Sequence, residues 1–149
     1  MTPSIIEVQT GIQKCKSWSD EFWLDLVDLT ATQSHCLKKK VACVIVDKKK
    51  RLVSMGVNGT LAGMPNKCED GNGKTIHREV LHAEMNALAN ADKKIVGCTA
   101  YLNYAPCENC AKTLLQFGIA KFVIRGEVKD QETLDFVIDY LGEKNVKIW

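Results

Sequence analysis

Apolar residues near the start of the chain recur with helical spacing. Within residues 18–33, Trp18, Phe22, Leu26 and Leu29 lie three or four positions apart. This spacing predicts an amphipathic helix that buries the face shared by these four side chains. The candidates for its N-cap are Ser17 and Ser19.

Two short apolar runs follow, separated by a polar turn. Residues 41–46, VACVIV, predict a buried strand, and residues 51–57, RLVSMGV, predict a second one. The DKKK between them allows a tight turn, so we expect an antiparallel pair. Residues 58–74 are rich in Gly, Asn and Pro and predict a long loop, which in compact domains is usually functional or mobile.

Helical and strand patterns alternate in the second half of the chain. This alternation is typical of parallel strands joined by crossover helices. Together with the hairpin it predicts a single α/β domain over residues 1–149, a three-layer α/β/α sandwich with a mixed five-stranded sheet. The predicted helices are 78–91, 106–118 and 130–145, and the predicted strands are 97–103, 120–126 and 146–149.

Composition narrows the function classes. The chain is 46% hydrophobic and 26% charged with a net charge of +2, which is ordinary for a globular protein. Dedicated nucleic-acid binders usually carry a larger basic excess. No apolar run approaches the roughly 18 residues that cross a bilayer, and the first residues lack the apolar core of a signal peptide. We therefore expect a cytoplasmic protein with no membrane or nucleic-acid partner.

The sequence has seven cysteines, an odd number that excludes a complete set of intrachain disulfides. In a reducing compartment, spaced cysteines are more often metal ligands or buried apolar residues. Cys43 and Cys98 lie in strand-like runs, so we expect both to fill the core.

Cys107 and Cys110 form a C-x-x-C pair at a predicted helix start. Residues three apart share a helix face, and the free N–H groups of a helix start favour the thiolate form. Two thiolates so placed suit zinc. The alternatives are a redox pair or half of a structural zinc knuckle, but a knuckle needs a second C-x-x-C, which the sequence lacks.

The remaining ligand comes from His77, His82 or His35. His77 and His82 are five apart, about 140° around a regular helix, so only one of them can join the cysteine pair. The H-x-E of His82 and Glu84, followed by P-C-x-x-C from Pro106, is typical of zinc-dependent nucleobase deaminases. This pattern selects His82.

The residue types match a hydrolytic chemistry. One nitrogen and two sulfur ligands leave a fourth zinc position for water, whose pKa zinc lowers. Glu84 would then move the proton from the water to the substrate. Residues two apart point about 200° from each other on a helix, so His82 and Glu84 can both face the metal only if His82 precedes the helix. We expect the two ligand segments to begin neighbouring helices at the carboxyl ends of the strands.

A structural zinc site is the alternative for the same residues. Such a site usually closes with a fourth Cys or His, for which Cys68 or His77 is available in the sequence. Glu84 would then be a surface carboxylate, and the protein would be a zinc-stabilised binding module without chemistry.

Four stretches resemble the cytidine/deoxycytidylate deaminase superfamily, and within it the deoxycytidylate (dCMP) deaminases of phages and bacteria. They are CLKKKVACVIV, GVNGTLAG, HAEMNALANA and YLNYAPCENCAKTLLQFGIAKFVI, between about Cys36 and Gly126. The resemblance implies a cytidine deaminase-like fold with one catalytic Zn²⁺ per chain. It also implies hydrolysis of dCMP to dUMP and ammonia, which supplies thymidylate synthesis. The alternatives are a free nucleoside, a base in RNA, CMP or a C5-modified dCMP as substrate.

The resemblance also assigns substrate contacts. The side chain of Asn58 and the backbone of Ala83 would hold the nucleotide, and Tyr104 and Pro106 would flank the base. The Asn58-Gly59 pair alone fits a turn after a strand equally well. The 5′-phosphate needs cations, for which Arg125 and the cluster Lys38, Lys39 and Lys40 are candidates.

Assembly and regulation follow from the same resemblance. Members are commonly homohexamers activated by dCTP and inhibited by dTTP, and Mg²⁺ would accompany the bound effector; a dimer is the alternative. The family usually has Pro at the position of Leu61, in the loop linked to that regulation, so regulation stays open. Some phage members hold a second, structural zinc, for which Cys68 and His77, with His35 or Cys36, are the candidates; a free cysteine and a solvated histidine are the alternative.

Overall fold

The computed structural model describes residues 18–92 and 94–149. None of the helices in these two ranges is long and apolar enough to pass through a membrane. The α-helices are α1 (Asp20–Ala31), α2 (Ala83–Ala89), α3 (Glu108–Gln116) and α4 (Gln131–Leu141), and a 3₁₀ turn covers Glu143–Asn145. The strands are β1 (Ala42–Val46), β2 (Leu52–Val57), β3 (Gly59–Thr60), β4 (Val80–Leu81), β5 (Thr99–Tyr104), β6 (Lys121–Glu127) and β7 (Val146–Ile148).

Five strands form one mixed sheet in the order β2-β1-β5-β6-β7. β1 is antiparallel to both β2 and β5, whereas β5, β6 and β7 are parallel to one another. This confirms the predicted hairpin and the parallel second half. The parallel strands are joined by helices because a parallel pair needs a crossover connection.

Helices cover both faces of the sheet. On one face, α1 packs Trp23, Leu24 and Val27 against β-strand residues such as Val44 and Tyr101. On the other face, α2, α3 and α4 bury a larger cluster around Leu102, Leu114 and Phe122. Cys43 and Cys98 are buried in this second cluster, as predicted. The three-layer sandwich is therefore confirmed.

The buried face of α1 differs from the predicted one. Trp18, Phe22 and Leu29 are 50%, 45% and 67% exposed. The face against the sheet consists of Trp23, Leu24, Val27 and Ala31. Helix α1 has two apolar stripes at helical spacing, and only the position of the sheet selects between them.

The start of α1 is capped by Ser19. Its side chain accepts a hydrogen bond from the Phe22 N–H at 3.1 Å. The other candidate, Ser17, lies outside the described residues. Ser19 thus satisfies one of the N–H groups that have no partner within the helix.

The segment before α2 is extended rather than helical. Val80 and Leu81 pair with Thr60 and Gly59 in a two-stranded sheet, so the predicted helix over 78–91 is too long at its start. The same pairing places a short strand inside the predicted loop 58–74. The pairing partners are about 20 residues apart, so no local pattern marks them.

Helices α3 and α4 end where glycine adopts a positive φ. Gly118 follows α3 with φ +98°, and Gly142 follows α4 with φ +90°. L-residues rarely adopt this conformation, and glycine does so at little cost. The end of α3 is as predicted, whereas α4 stops before residue 145 and gives way to the 3₁₀ turn.

Candidate active site

The starts of α2 and α3 bring three metal-type side chains together. His82 and Cys107 are the N-cap residues of these helices, and both have extended backbones. Neither side chain caps its own helix. The His82 Nδ1 lies 3.6 Å from the Cys107 Sγ and 3.3 Å from the Cys110 Sγ. The prediction that His82 precedes its helix is confirmed.

Gly56 allows α2 to lie close to β2. A Cβ at residue 56 would be 2.4 Å from the Ala87 nitrogen and 2.7 Å from the Ala83 oxygen. The backbone of α2 therefore occupies the space of the missing side chain. This close packing places the first turn of α2 beside the first turn of α3.

Glu84 is buried beside the three candidate ligands, with 4% of its surface exposed. Burial raises the pKa of its carboxyl group, and this outweighs its own backbone N–H, His82 and the other groups that favour the charged form. A carboxyl group whose pKa is raised accepts a proton more readily near neutral pH. Glu84 therefore has the environment of a proton carrier rather than of a surface carboxylate.

The donor set fits a zinc ion. His82, Cys107 and Cys110 each offer an atom within 4.8 Å of the others. Burial first, and then Glu84 and Cys107, raise the pKa of the Cys110 thiol. The direction of this pKa shift is opposite to the lowering that we expected from the helix start. A divalent cation among these side chains would offset the negative charge that disfavours the Cys110 thiolate, and one nitrogen with two sulfurs suits zinc.

A cavity of about 460 Å³ opens onto these residues. His82, Glu84 and Cys107 lie on its wall, and so do the cations Lys39 and Lys129. The Lys39 Nζ lies 4.1 Å from the centre of the Tyr104 ring. Burial and then Lys129 lower the pKa of Lys39, so two cations share this part of the wall. The other residues of the wall are Cys36, Lys38, Val41, Asn58, Glu69, Thr75, His77, Val80, Ala83, Tyr104 and Ala105.

The metal-type cluster and the buried glutamate lie in a region that matches a known family. Residues 17–125 match the model of the cytidine and deoxycytidylate deaminase zinc-binding region. The chain belongs to this deaminase family. Its members are zinc-binding proteins, and the cluster of His82, Cys107 and Cys110 agrees with that property.

Relatives and solved structures within the deaminase family are similar to most of the chain. It is 37% identical to deoxycytidylate deaminase of Saccharomyces cerevisiae over 72% of the chain and 37% of the relative. For the Schizosaccharomyces pombe enzyme the identity is 35%, over 72% of the chain and 36% of the relative. The chain thus spans little more than a third of these two relatives. The structure of a dCMP deaminase from the cyanophage S-TIM5, in complex with dCMP and dUMP, has a TM-score of 0.75 and 31% identity. That match covers 87% of this chain and 93% of the phage chain.

Three of the predicted substrate residues lie on the cavity wall. They are Asn58, Ala83 and Tyr104. The Asn58 side chain also has structural partners, which sequence reasoning missed. Its Oδ1 accepts the Val41 N–H at 2.9 Å, and its Nδ2 donates to the Lys39 carbonyl at 2.8 Å. The second Nδ2 hydrogen of Asn58 has no acceptor among the described residues.

Two predicted substrate residues lie elsewhere. Pro106 is buried beside Leu134 and Val137 of α4 and is not on the wall of this cavity. The Arg125 guanidinium contacts Asp25 and Asp28 of α1 at 2.8 and 2.6 Å. Arg125 thus points to the sheet face opposite α2 and α3. Successive side chains of β6 point to opposite faces of the sheet. The prediction placed Arg125 near the end of this strand, but it did not show on which face of the sheet its side chain lies.

The predicted second metal pair is not brought together. Cys68 forms a disulfide with Cys36. In the described part of the chain, the metal-type group around Cys68 contains Cys36 and Glu69, and His77 is not in it. His77 is an exposed residue of the cavity wall. The Cys68 sulfur is bonded to the Cys36 sulfur. This arrangement therefore does not support a zinc site formed by Cys68 and His77.

The cations at the cavity are partly those expected. Lys38 and Lys39 lie on its wall, whereas the Lys40 ammonium donates to the Ser34 carbonyl. Lys129 also lies on the wall and was not among the predicted residues. It follows the carboxyl end of β6, the end of parallel strands where α/β folds place their sites, and this position is the signal that could have found it.

Proposed function

We propose that the chain is a zinc-dependent deaminase that converts dCMP to dUMP and ammonia. The observation that carries this proposal is the buried Glu84 beside His82, Cys107 and Cys110 at the wall of a cavity that Lys39 and Lys129 also line. The similarity to a phage dCMP deaminase over most of both chains supports it.

His82, Cys107 and Cys110 would hold the zinc ion. Bound there, zinc would supply the Lewis acidity that makes a water nucleophilic near neutral pH. Cys110 is buried and His82 and Cys107 are exposed, so the cluster is closed toward the core and open toward the cavity. Substrate and water would arrive from that open side.

Glu84 would move the protons. Its carboxylate accepts a proton from the attacking water and delivers it to the ring nitrogen next to C4 of cytosine. The oxygen of the water bonds to C4. The hydroxyl now on C4 gives the second proton, which passes through Glu84 to the amino nitrogen, and the bond from C4 to that nitrogen breaks to release ammonia. The carbonyl of dUMP remains.

The cavity wall would orient the nucleotide. The ring of Tyr104 and the backbone of Ala83 contact the base, and the free amide hydrogen of Asn58 donates to the nucleotide. Lys38, Lys39 and Lys129 are the cations for the 5′-phosphate. Lysine ammonium groups bind phosphate as point charges, and the partly buried Lys39 is the least screened of the three.

The first experiment measures ammonia release by purified, zinc-replete protein. The substrates are dCMP, CMP, deoxycytidine and a single-stranded RNA, each with and without dCTP. We expect turnover of dCMP with little on deoxycytidine, because the phosphate is bound by cations. Turnover of RNA in preference to all nucleotides would contradict the proposal and favour a base deaminase acting on nucleic acid.

Replacement Glu84→Gln tests the proton carrier. We expect zinc near one per chain, an unchanged circular dichroism spectrum and activity below about a hundredth of wild type, because the amide cannot accept the proton. The matched control is Glu79→Gln, the other glutamate of the same stretch, which is not on the cavity wall and should retain activity. Activity of Glu84→Gln close to that of the control would sink the assigned role.

Removal of zinc separates the enzyme from a zinc-stabilised binding module. We expect a chelator to abolish ammonia release while the near-ultraviolet spectrum persists, because two buried clusters hold the domain independently of the metal. Zinc added back should restore turnover. Unfolding of the whole domain on chelation would instead favour the binding module.

Assembly and regulation stay predictions of the family resemblance. A homo-oligomer, with a hexamer favoured over a dimer, would cover Trp18, Phe22 and Leu29, which are about half exposed or more in the single chain. Light scattering with and without dCTP and Mg²⁺ measures both the mass and the effect of the nucleotide.

A further inference from the structure

A disulfide lies at the edge of the cavity, between two segments that belong to no helix or long strand. Cys36 follows α1, and Cys68 lies between β3 and β4, 32 residues later. Their Cα atoms are 5.2 Å apart. The two residues are 3% and 1% exposed, so the bond closes a packed contact rather than a surface loop.

The contact is the main attachment of the segment 61–79. Within that segment only Cys68 and Glu69 are buried. The Glu69 Oε1 accepts the Leu37 N–H at 2.9 Å, and this is the one hydrogen bond that joins the segments 33–41 and 61–79 in the described parts of the chain. We refer to the Cys36–Cys68 bond and the Glu69–Leu37 hydrogen bond together as the clasp.

The clasp borders the proposed phosphate cations. Cys36 and Glu69 are on the wall of the same cavity as Lys38 and Lys39, which follow Cys36 closely in the chain after Leu37. Thr75 and His77 of the segment 61–79 line this wall as well. Loss of the clasp would therefore free one side of the cavity, while the starts of α2 and α3 stay held by the core.

We infer that Cys36 and Cys68 form a reversible redox site that controls how tightly this cavity wall binds a phosphate-bearing nucleotide. The inference rests on the proposed function for the identity of that nucleotide. With the disulfide formed, the wall is closed and the lysines are held in place. With two thiols, the segment 61–79 detaches and affinity falls.

The reaction is an ordinary thiol–disulfide exchange. A small dithiol attacks one sulfur, the S–S bond breaks, and the second thiol of the reagent displaces the mixed disulfide. Two electrons and two protons pass to the protein, which gains two thiols, and the reagent leaves as its own disulfide. A small-molecule disulfide reverses the exchange. Cys36 faces the cavity, which gives such reagents a path to a buried bond.

The test compares the oxidised and the dithiothreitol-treated forms of the zinc-replete full chain. Mass spectrometry after alkylation counts the thiols, and trypsin digestion reports the segment 61–79, which offers Lys67 and Lys74 as exposed cleavage sites. We expect cleavage there to become about tenfold faster on reduction, because no covalent bond then restrains local opening of the segment. We also expect the KM for dCMP to rise about fivefold with little change in kcat, because the reacting residues stay in place.

Two variants sharpen the result. The double replacement Cys36→Ser with Cys68→Ser should show the fast cleavage and the high KM with or without reductant. The control Cys98→Ala, a buried cysteine outside the disulfide, should keep the redox response. The wild-type comparison stands by itself if the double variant fails to fold.

The outcomes separate the clasp from the proposed function. Redox-dependent cleavage in a protein that does not deaminate dCMP supports the clasp and contradicts the proposed function. Turnover of dCMP with equal KM and equal cleavage rates in both redox states overturns the clasp. A disulfide that survives dithiothreitol in the native protein also overturns it, since the bond would then be a permanent crosslink.

Discussion

At the scale of single residues, Asn58 shows how one side chain can hold a cavity wall. Its Oδ1 lies 2.7 Å from the Ser34 hydroxyl and also accepts the Val41 N–H, and its Nδ2 donates to the Lys39 carbonyl. The segment between α1 and β1 has no regular structure, so these bonds replace the ones a helix or strand would make. The position of Lys39 on the wall therefore depends on a partly buried amide.

Replacement Asn58→Ala should destabilise the protein. The change leaves the Lys39 carbonyl and the Val41 N–H without their partner, and each lost bond costs about 1 kcal/mol. We expect the free energy of unfolding in urea to fall by about 2–3 kcal/mol. The control is Asn72→Ala, an exposed residue of the long segment before β4, which should change little. Equal stability of the two variants would show that the amide bonds contribute nothing net.

At the scale of elements, the site depends on two short helices that begin side by side. His82 and Cys107, two of the candidate ligands, precede α2 and α3 where the backbone is still extended, so both side chains can turn toward the same point. Helix α2 reaches this position because it packs on Gly56 of β2 without an intervening side chain. The packing of one helix on one strand thus sets the distance between His82 and the cysteines.

Replacement Gly56→Ala tests this packing. The new Cβ would overlap backbone atoms of α2, which cannot rotate away as a side chain can, so the helix must move. We expect a loss of about 3 kcal/mol in stability by thermal unfolding, together with weaker zinc binding. Gly71→Ala is the matched control, because a Cβ there meets no atom within 4 Å. Normal zinc affinity in a folded Gly56→Ala protein would contradict the link between this packing and the site.

At the scale of the whole molecule, charged side chains join α1 to the sheet beneath it. The Tyr101 hydroxyl donates to Asp20 at 2.7 Å, and the Lys147 Nζ of β7 lies 3.3 Å from the other Asp20 oxygen. Burial would raise the pKa of Asp20, but Tyr101, Lys121 and Lys147 outweigh it and lower the pKa overall. This cluster connects the first helix to the middle and the last strand.

The pH dependence of stability follows from the direction of that shift. A carboxyl group with a lowered pKa in the folded state contributes stability above its unfolded pKa, and the contribution is lost as the pH falls through the folded pKa. We expect Asp20→Asn to lower the free energy of unfolding by about 1–2 kcal/mol at pH 7. The difference from wild type should shrink at pH 3, in urea titrations at both pH values. The control Asp139→Asn, at an exposed position on α4, should show no such difference at either pH.

Local patterns in the sequence were sufficient for much of the fold and for the centre of the site. The strand runs, the glycine at the end of α3 and the alternation of elements depend on neighbouring residues, so they predicted the mixed sheet and its layers. The same holds for His82, Glu84, Cys107 and Cys110, because zinc chemistry restricts residue types at short spacings. Even the extended backbone of His82 followed from helix geometry and the need for His82 and Glu84 to face one point.

Contacts between distant residues were decided only by the tertiary structure. Helix α1 has two apolar stripes, and the sheet selects the one with Trp23. Three further features join segments that are far apart in the chain. They are the pairing of β3 with β4, the disulfide of Cys36 with Cys68, and the position of Lys129 on the cavity wall. Arg125 meets α1 rather than the cavity for the same reason. The free energy of such contacts depends on which surfaces the whole chain brings together, and no local spacing encodes that.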